Sequence, residues 1–163
     1  AIQRAIGDRA GEGTTLNNLS QIYDARGDYE TALRYLEESL ALLQTIGDRA
    51  GEGATLNNLS QIYHARGDYE TARRYLEESL ALRRAIGDRA GLCTTLFNMG
   101  HIFSQKDEHQ QALVCWVEAY RIAKEIGLSE ALMHLEKLAK QLGGSGLEYW
   151  EQLSRRIGAS GME

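Results

Sequence analysis

The sequence predicts an all-α protein built from stacked antiparallel helix pairs. Three observations lead there. A 40-residue period runs through most of the 163 residues. Apolar side chains recur three, four and seven residues apart, the spacing of one helical face. Gly-Asp pairs punctuate the chain while proline is absent altogether, so glycine must end the helices that proline ends elsewhere.

The period comes first, because self-similarity at a fixed spacing decides the architecture. Residues 7–46 and 47–86 differ at six places only: Thr14/Ala54, Asp24/His64, Leu33/Arg73, Leu43/Arg83, Gln44/Arg84 and Thr45/Ala85. A third unit, residues 87–126, is diverged. It keeps Gly-Asp-Arg-Ala-Gly at its start and then Thr95, Leu96, Asn98, Ile102, Ala112, Glu118 and Ile126. The opening "AIQRAI" aligns with "ALRRAI" at residues 81–86. Residues 1–6 therefore read as the remnant of a preceding repeat helix, and the chain is expected to begin inside a longer array.

Within each unit two helices follow one another. Asp8 is expected to cap the first, its carboxylate accepting from free backbone N–H groups. Leu16, Leu19 and Tyr23, with Ile22 beside them, supply the apolar face. Gly27 then supplies a left-handed turn and Asp28 caps the second helix, whose stripe is Ala32, Leu36, Leu40 and Leu43. Gly47 stops it and Asp48 opens the next unit. Links this short force antiparallel neighbours. Small residues (Ser20, Ser60, Gly100; Ala32, Ala72, Ala112) recur where helices approach, and Leu36, Leu76 and Trp116 fill between them. Neither helix buries its stripe alone; stacking does, at about 1.5–3 kcal/mol per large side chain. After Ile126 the rhythm breaks. Residues 127–158 read as capping helices. The first starts at Ser129, with the stripe Ala131, Leu132, Leu135, Leu138 and Leu142; the second carries Leu147, Trp150, Leu153 and Ile157. Residues 159–163 read as a flexible tail.

The order Leu16, Leu19, Ser20, Tyr23, Ala32, Leu36 resembles the tetratricopeptide signature. The 40-residue spacing with "GDRAGEG…NNLSQIY…GDYETA" is similar to the long-helix variant of Pins/LGN-type scaffolds and of arrays attached to bacterial signalling proteins. The likeness covers residues 7–126. It lacks the proline that ends the second helix of the common 34-residue form, which longer second helices would explain. The resemblance implies a right-handed superhelical solenoid whose first helices line a concave groove, closed by a C-terminal helical cap, and a cytoplasmic scaffold or signalling role.

Composition excludes several function classes. Acids outnumber bases 23 to 18, for a net charge of −5, against the cationic excess that nucleic acid demands. No apolar run approaches the ~20 residues of a membrane span, so neither nucleic acid nor membrane is an expected partner. Two cysteines, Cys93 and Cys115, make neither a disulfide framework nor a four-thiolate zinc site; both read as packing substitutions in a reducing setting. His64, His101, His109 and His134 share no i, i+4 spacing, so no metal is expected. The glycines of "GDRAGEG" lack the Lys-Ser/Thr of a phosphate loop. "Asn-Leu-Ser" lies mid-helix, where glycosylation is not expected. Glu37-Glu38 and Glu77-Glu78 read as a solvated face, with Glu30 four residues before Arg34 and Glu70 four before Arg74. No nucleophile, base and orienting group combine. The chain is expected to be no enzyme and to need no cofactor.

What remains are files of polar residues. Asn18, Asn58 and Asn98 recur at 40-residue intervals; Gln21, Gln61 and His101 form a second file, and Asp24, His64 and Ser104 a third. Asparagine donates and accepts, so it pairs with a peptide bond in any sequence context. A binding groove is therefore expected at Asn18, Gln21, Asp24, Asn58, Gln61, His64, Asn98 and His101, holding a peptide or protein segment. Asn17 and Asn57 are weaker candidates, because Phe97 takes their place in the third unit. Asparagine also bonds neighbouring helices inside repeat stacks, and that reading stands beside the first. A second function is self-assembly. The edge left by "AIQRAI" would expose apolar surface and form a homo-oligomer by head-to-tail stacking.

Overall fold

A computed structural model describes the backbone of residues 2–160 and the side chains of residues 7–158. Eight helices fill it: α1 Ile2–Ala25, α2 Tyr29–Ile46, α3 Arg49–Ala65, α4 Tyr69–Ile86, α5 Arg89–Gln105, α6 His109–Ile126, α7 Ser129–Gln141 and α8 Leu147–Ser160. Two compact units result, Ala1–Asp88 and Arg89–Glu163.

In the first unit α1 pairs with α2 and α3 with α4, while α2 lies against α3. The joints form as their residues dictate. Gly47 takes φ 72° and donates to the Gln44 carbonyl, while Asp48 N–H donates to Leu43 O at 3.0 Å, the paired bonds of a Schellman turn. The Asp48 carboxylate accepts from Gly51 N at 3.0 Å; Asp28 and Asp68 do the same for Thr31 and Thr71. Ala32, Leu33, Leu36, Leu56, Leu59 and Ile62 form the core, flanked by Tyr23, Tyr63 and Tyr75. Helix pairs also lock through hydroxyls: Ser39 Oγ donates to Gly13 O and Ser79 Oγ to Gly53 O, both at 3.0 Å. Glycine makes room at that approach: a Cβ on Gly13 would stand 2.9 Å from Leu43 Cδ2, and the leucine would have to shift.

Asp8 is not a cap. Helix α1 begins at Ile2 and runs through Gly7 and Asp8. The same two residues reverse the chain at Gly47-Asp48, where long helices on both sides pack and hold the turn.

In the second unit α5 pairs with α6, and α7 and α8 close over α6. Compensating exchanges keep the repeat geometry. Gly100 stands where Ser20 and Ser60 stand, because a Cβ there would collide with the Trp116 indole; Trp116 Nε1 donates to Phe97 O at 3.1 Å. Cys93 replaces Gly13 and Gly53 while Ala123 replaces Leu43 and Arg83, moving bulk from one helix to the other. The interhelix bond reverses with it: Cys93 Sγ donates to Ala119 O at 3.4 Å.

The 40-residue rhythm outlasts Ile126. Gly127 takes φ 72° like Gly47 and Gly87, and Leu128 N–H donates to Ala123 O at 2.9 Å. Leu128, not Ser129, is therefore the N-cap of α7, in the place of Asp48, and it has no side-chain acceptor. Leu135, Leu138 and Ala139 are buried, but Leu142 is exposed, because α7 ends one residue before it. Trp150 on α8 is completely buried and donates to Leu135 O at 2.7 Å. Around it, Tyr120 and Lys124 donate to Glu151, and Arg121 donates to Ser154.

Candidate functional site

In the first unit, Asn18 and Gln21 are exposed on α1 and Asp24 is half-buried. On α3, Gln61 is exposed, and Asn58 and His64 are half-buried. Helices α1 and α3 touch, so the two sets occupy neighbouring helices. The His64 ring lies 5.4 Å from that of Tyr69, and burial lowers its pKa below the usual histidine value. The exchange of Asp24 for His64 thus replaces a carboxyl group by a ring whose charged form burial disfavours.

The doubled asparagine divides its labour. Asn17 Nδ2 donates to Thr55 Oγ1 at 3.0 Å, and that hydroxyl donates on to Gly51 O at 3.0 Å. Asn17 therefore ties α1 to α3, and Asn57 is buried. This file is structural, the reading that competed with the groove for it.

In the second unit the candidates are Asn98 and His101 on α5. The His101 ring packs edge-on against Phe97 at 4.7 Å and Trp116 at 5.3 Å. Asn98 is half-buried, and its Nδ2 is a buried donor with no hydrogen-bond partner. It borders a cavity of about 550 Å³ between α5 and α7, lined by Cys93, Phe97, Ala131, His134 and Leu135 among others. Sequence reasoning missed this cavity. Counted in 40-residue steps, Phe97 holds the place of Asn17 and Leu135 that of Thr55. The polar tie of α1 and α3 thus has two apolar counterparts here, which cannot remake the bond. That paired exchange was the available signal, and it appears only once α7 is set in register with α3.

Among the described residues no three His, Cys, Asp or Glu side chains gather as metal ligands would, and no helix is long and apolar enough to cross a membrane. Burial pushes the Cys93 thiol pKa up, away from nucleophilic use.

Comparison with known proteins agrees with this architecture. The structure of BtubC (BKLC) from P. vanneervenii superposes with a TM-score of 0.66 at 20% identity, over 91% of this chain and 63% of that one. A Podosopora anserina putative kinesin light chain with nearly identical TPR-like repeats gives 0.66 at 16% identity, over 78% of this chain and 64% of that one. This chain therefore spans just under two thirds of the length of those relatives. A search of curated proteins by sequence gives no match. A tetratricopeptide repeat family model matches residues 1–45 and 51–125. With helix pairs, left-handed glycine joints and a 40-residue period all in place, the chain belongs to the tetratricopeptide repeat family.

Proposed function

We propose that the chain is a non-enzymatic protein-interaction module. It holds a peptide or protein segment along its first helices through Asn18, Gln21, Asp24, Asn58, Gln61 and His64, with Asn98 and His101 continuing the files, inside a larger cytoplasmic scaffold or signalling protein. The observation that supports this most directly is exposure. Asn18, Gln21 and Gln61 stand free of the core on helices whose opposite residues are buried, while the neighbouring Asn17 is committed to a helix–helix bond. Each amide bond to a guest backbone contributes about 0.5–1.5 kcal/mol net, so the files orient a guest and selectivity falls to the positions that vary.

A photo-crosslinking residue at Gln61, with one at the exposed Glu78 as control, tests the reading in cells. The expected result is a specific adduct from position 61 and none from 78. The crosslinked segment, once sequenced and synthesised, should bind the Asn18→Ala/Asn58→Ala double variant about 5- to 100-fold more weakly. Adducts from 78 alone, or unchanged affinity with intact helicity, refute it.

Self-assembly is the second reading, and one observation favours it. Ile22 is 48% exposed on α1, whereas its counterparts Ile62 and Ile102 are 2% and 3% exposed. In the first unit, Ile62 packs in the core that α2 provides. Light scattering against concentration should then show dimers or larger species at micromolar levels, lost in Ile22→Glu. A monomer throughout excludes this reading.

A further inference from the structure

Resting on that reading, we infer that the cavity between α5 and α7 is an anchor pocket for one large apolar side chain of a bound peptide. A lysine or arginine follows that residue in the peptide, and the anchor's own backbone carbonyl accepts from Asn98. Three observations converge. At about 550 Å³ the volume falls within the ~300–1,000 Å³ of ligand pockets. Its walls include the Phe97 ring, Leu135, Ala131 and Cys93, and an apolar pocket that a partner's side chain fills and desolvates supplies much of the energy at an interface. Asn98 is one of its lining residues, and the Nδ2 of that side chain is a buried donor without a partner, an arrangement that costs free energy until the amide turns to meet an acceptor.

Charge selects the flanking residue. No lysine or arginine lines the cavity, and Glu130 stands in its wall with its side chain 88% exposed. His134 Nε2 lies 3.8 Å from that carboxylate, too far for a hydrogen bond. An acidic peptide would meet Glu130 with no lysine or arginine among the lining residues; a basic neighbour pairs with it. The pocket also has a structural origin in this chain. A hydrogen bond joins α1 to α3 at Asn17 and Thr55, and the equivalent side chains, Phe97 and Leu135, cannot make that bond between α5 and α7.

The test uses the full chain, isotope-labelled, titrated with acetyl-Ala-Leu-Lys-amide, acetyl-Ala-Ala-Lys-amide and acetyl-Ala-Leu-Glu-amide. The expected result is that the Leu-Lys peptide moves the Asn98 side-chain amide resonance and the backbone amides of Cys93 and Ala131. Loss of the leucine should weaken binding about tenfold or more, and exchange of lysine for glutamate roughly two- to fivefold. Ala131→Phe fills the pocket and should abolish the response. Glu130→Lys, at an exposed site that does not threaten folding, should invert the preference between Lys and Glu. Equal responses to all three peptides, shifts that avoid these residues, or an unchanged preference in Glu130→Lys overturn the inference. The two readings fail separately: crosslinking at Gln61 with no pocket response leaves the groove standing and removes the anchor, whereas a pocket response without crosslinking at Gln61 removes the groove.

Discussion

Asp107 holds φ 60°, the left-handed conformation that Gly27 and Gly67 take at the same joint with φ of 77° and 79°. A side chain there is strained. Its neighbour Glu108 occupies the N-cap of α6 without making a side-chain cap bond, because its extra methylene misplaces the carboxylate that Asp28 and Asp68 deliver. Asp107→Gly with Glu108→Asp should therefore stabilise the chain by about 1–2 kcal/mol, read as a higher melting temperature. Thr55→Val tests the other end of the scale. It keeps the shape but removes the acceptor of Asn17, and should cost about 1 kcal/mol in denaturant unfolding. The joints were legible in the sequence because a Gly-Asp cap is settled by the few residues around it. Asp8 shows the limit: the same dipeptide turns the chain only where packed helices on both sides hold the turn.

Helices exchange bulk in pairs. Gly100→Ser restores the residue of the other repeats but drives a side chain into Trp116, and should destabilise by about 1–3 kcal/mol. Adding Trp116→Leu should recover much of the loss, a coupling that a double-mutant cycle measures. Helix α8 carries a pH signature. Hydrogen bonds from Tyr120 and Lys124 hold the Glu151 carboxyl below the usual glutamate range, so its contribution is present above the unfolded pKa and is lost as pH falls through the folded one. Burial and the Glu151 bond push Tyr120 up to about 12; that contribution is complete below the ordinary tyrosine value near 10 and is lost as pH rises from there to about 12. Trp150 fluorescence should thus report loosening of α8 both in acid and above pH ~10, with the acid limb reduced in Glu151→Gln. The stripes of α2 and α4 were readable from periodicity. The register of α7 was not, because Gly127 is almost all it retains of the repeat, and the α5–α7 cavity depends on two residues, Phe97 and Leu135, that lie far apart in the chain.

At the scale of the whole molecule, the first unit is built from near-copies and the second from exchanges. Buried Arg83 shows how far a near-copy can drift. It occupies the place of Leu43, donates to Ser79 Oγ at 3.2 Å and pairs with Asp88 at 3.1 Å, while burial lowers its pKa. Arg83→Leu reinstates the residue of the first repeat and removes one ion pair of the part-exposed Asp88. Its unfolding free energy should stay within about 1 kcal/mol of the parent, whereas Arg83→Ala, which leaves a hole, should lose about 2 kcal/mol or more.

The reversed bond at Cys93 has a wider meaning for how such a chain can lengthen. A helix like α2 or α4 brings a serine to meet a glycine carbonyl, so either serves as a cassette behind α1 or α3. Helix α6 brings Ala119 and Ala123 instead; spliced behind α3 it would leave Gly53 facing a void and its carbonyl unmet. Duplication and exchange should thus be tolerated between the first two modules, whereas α6 moved among them would leave that bond unmade.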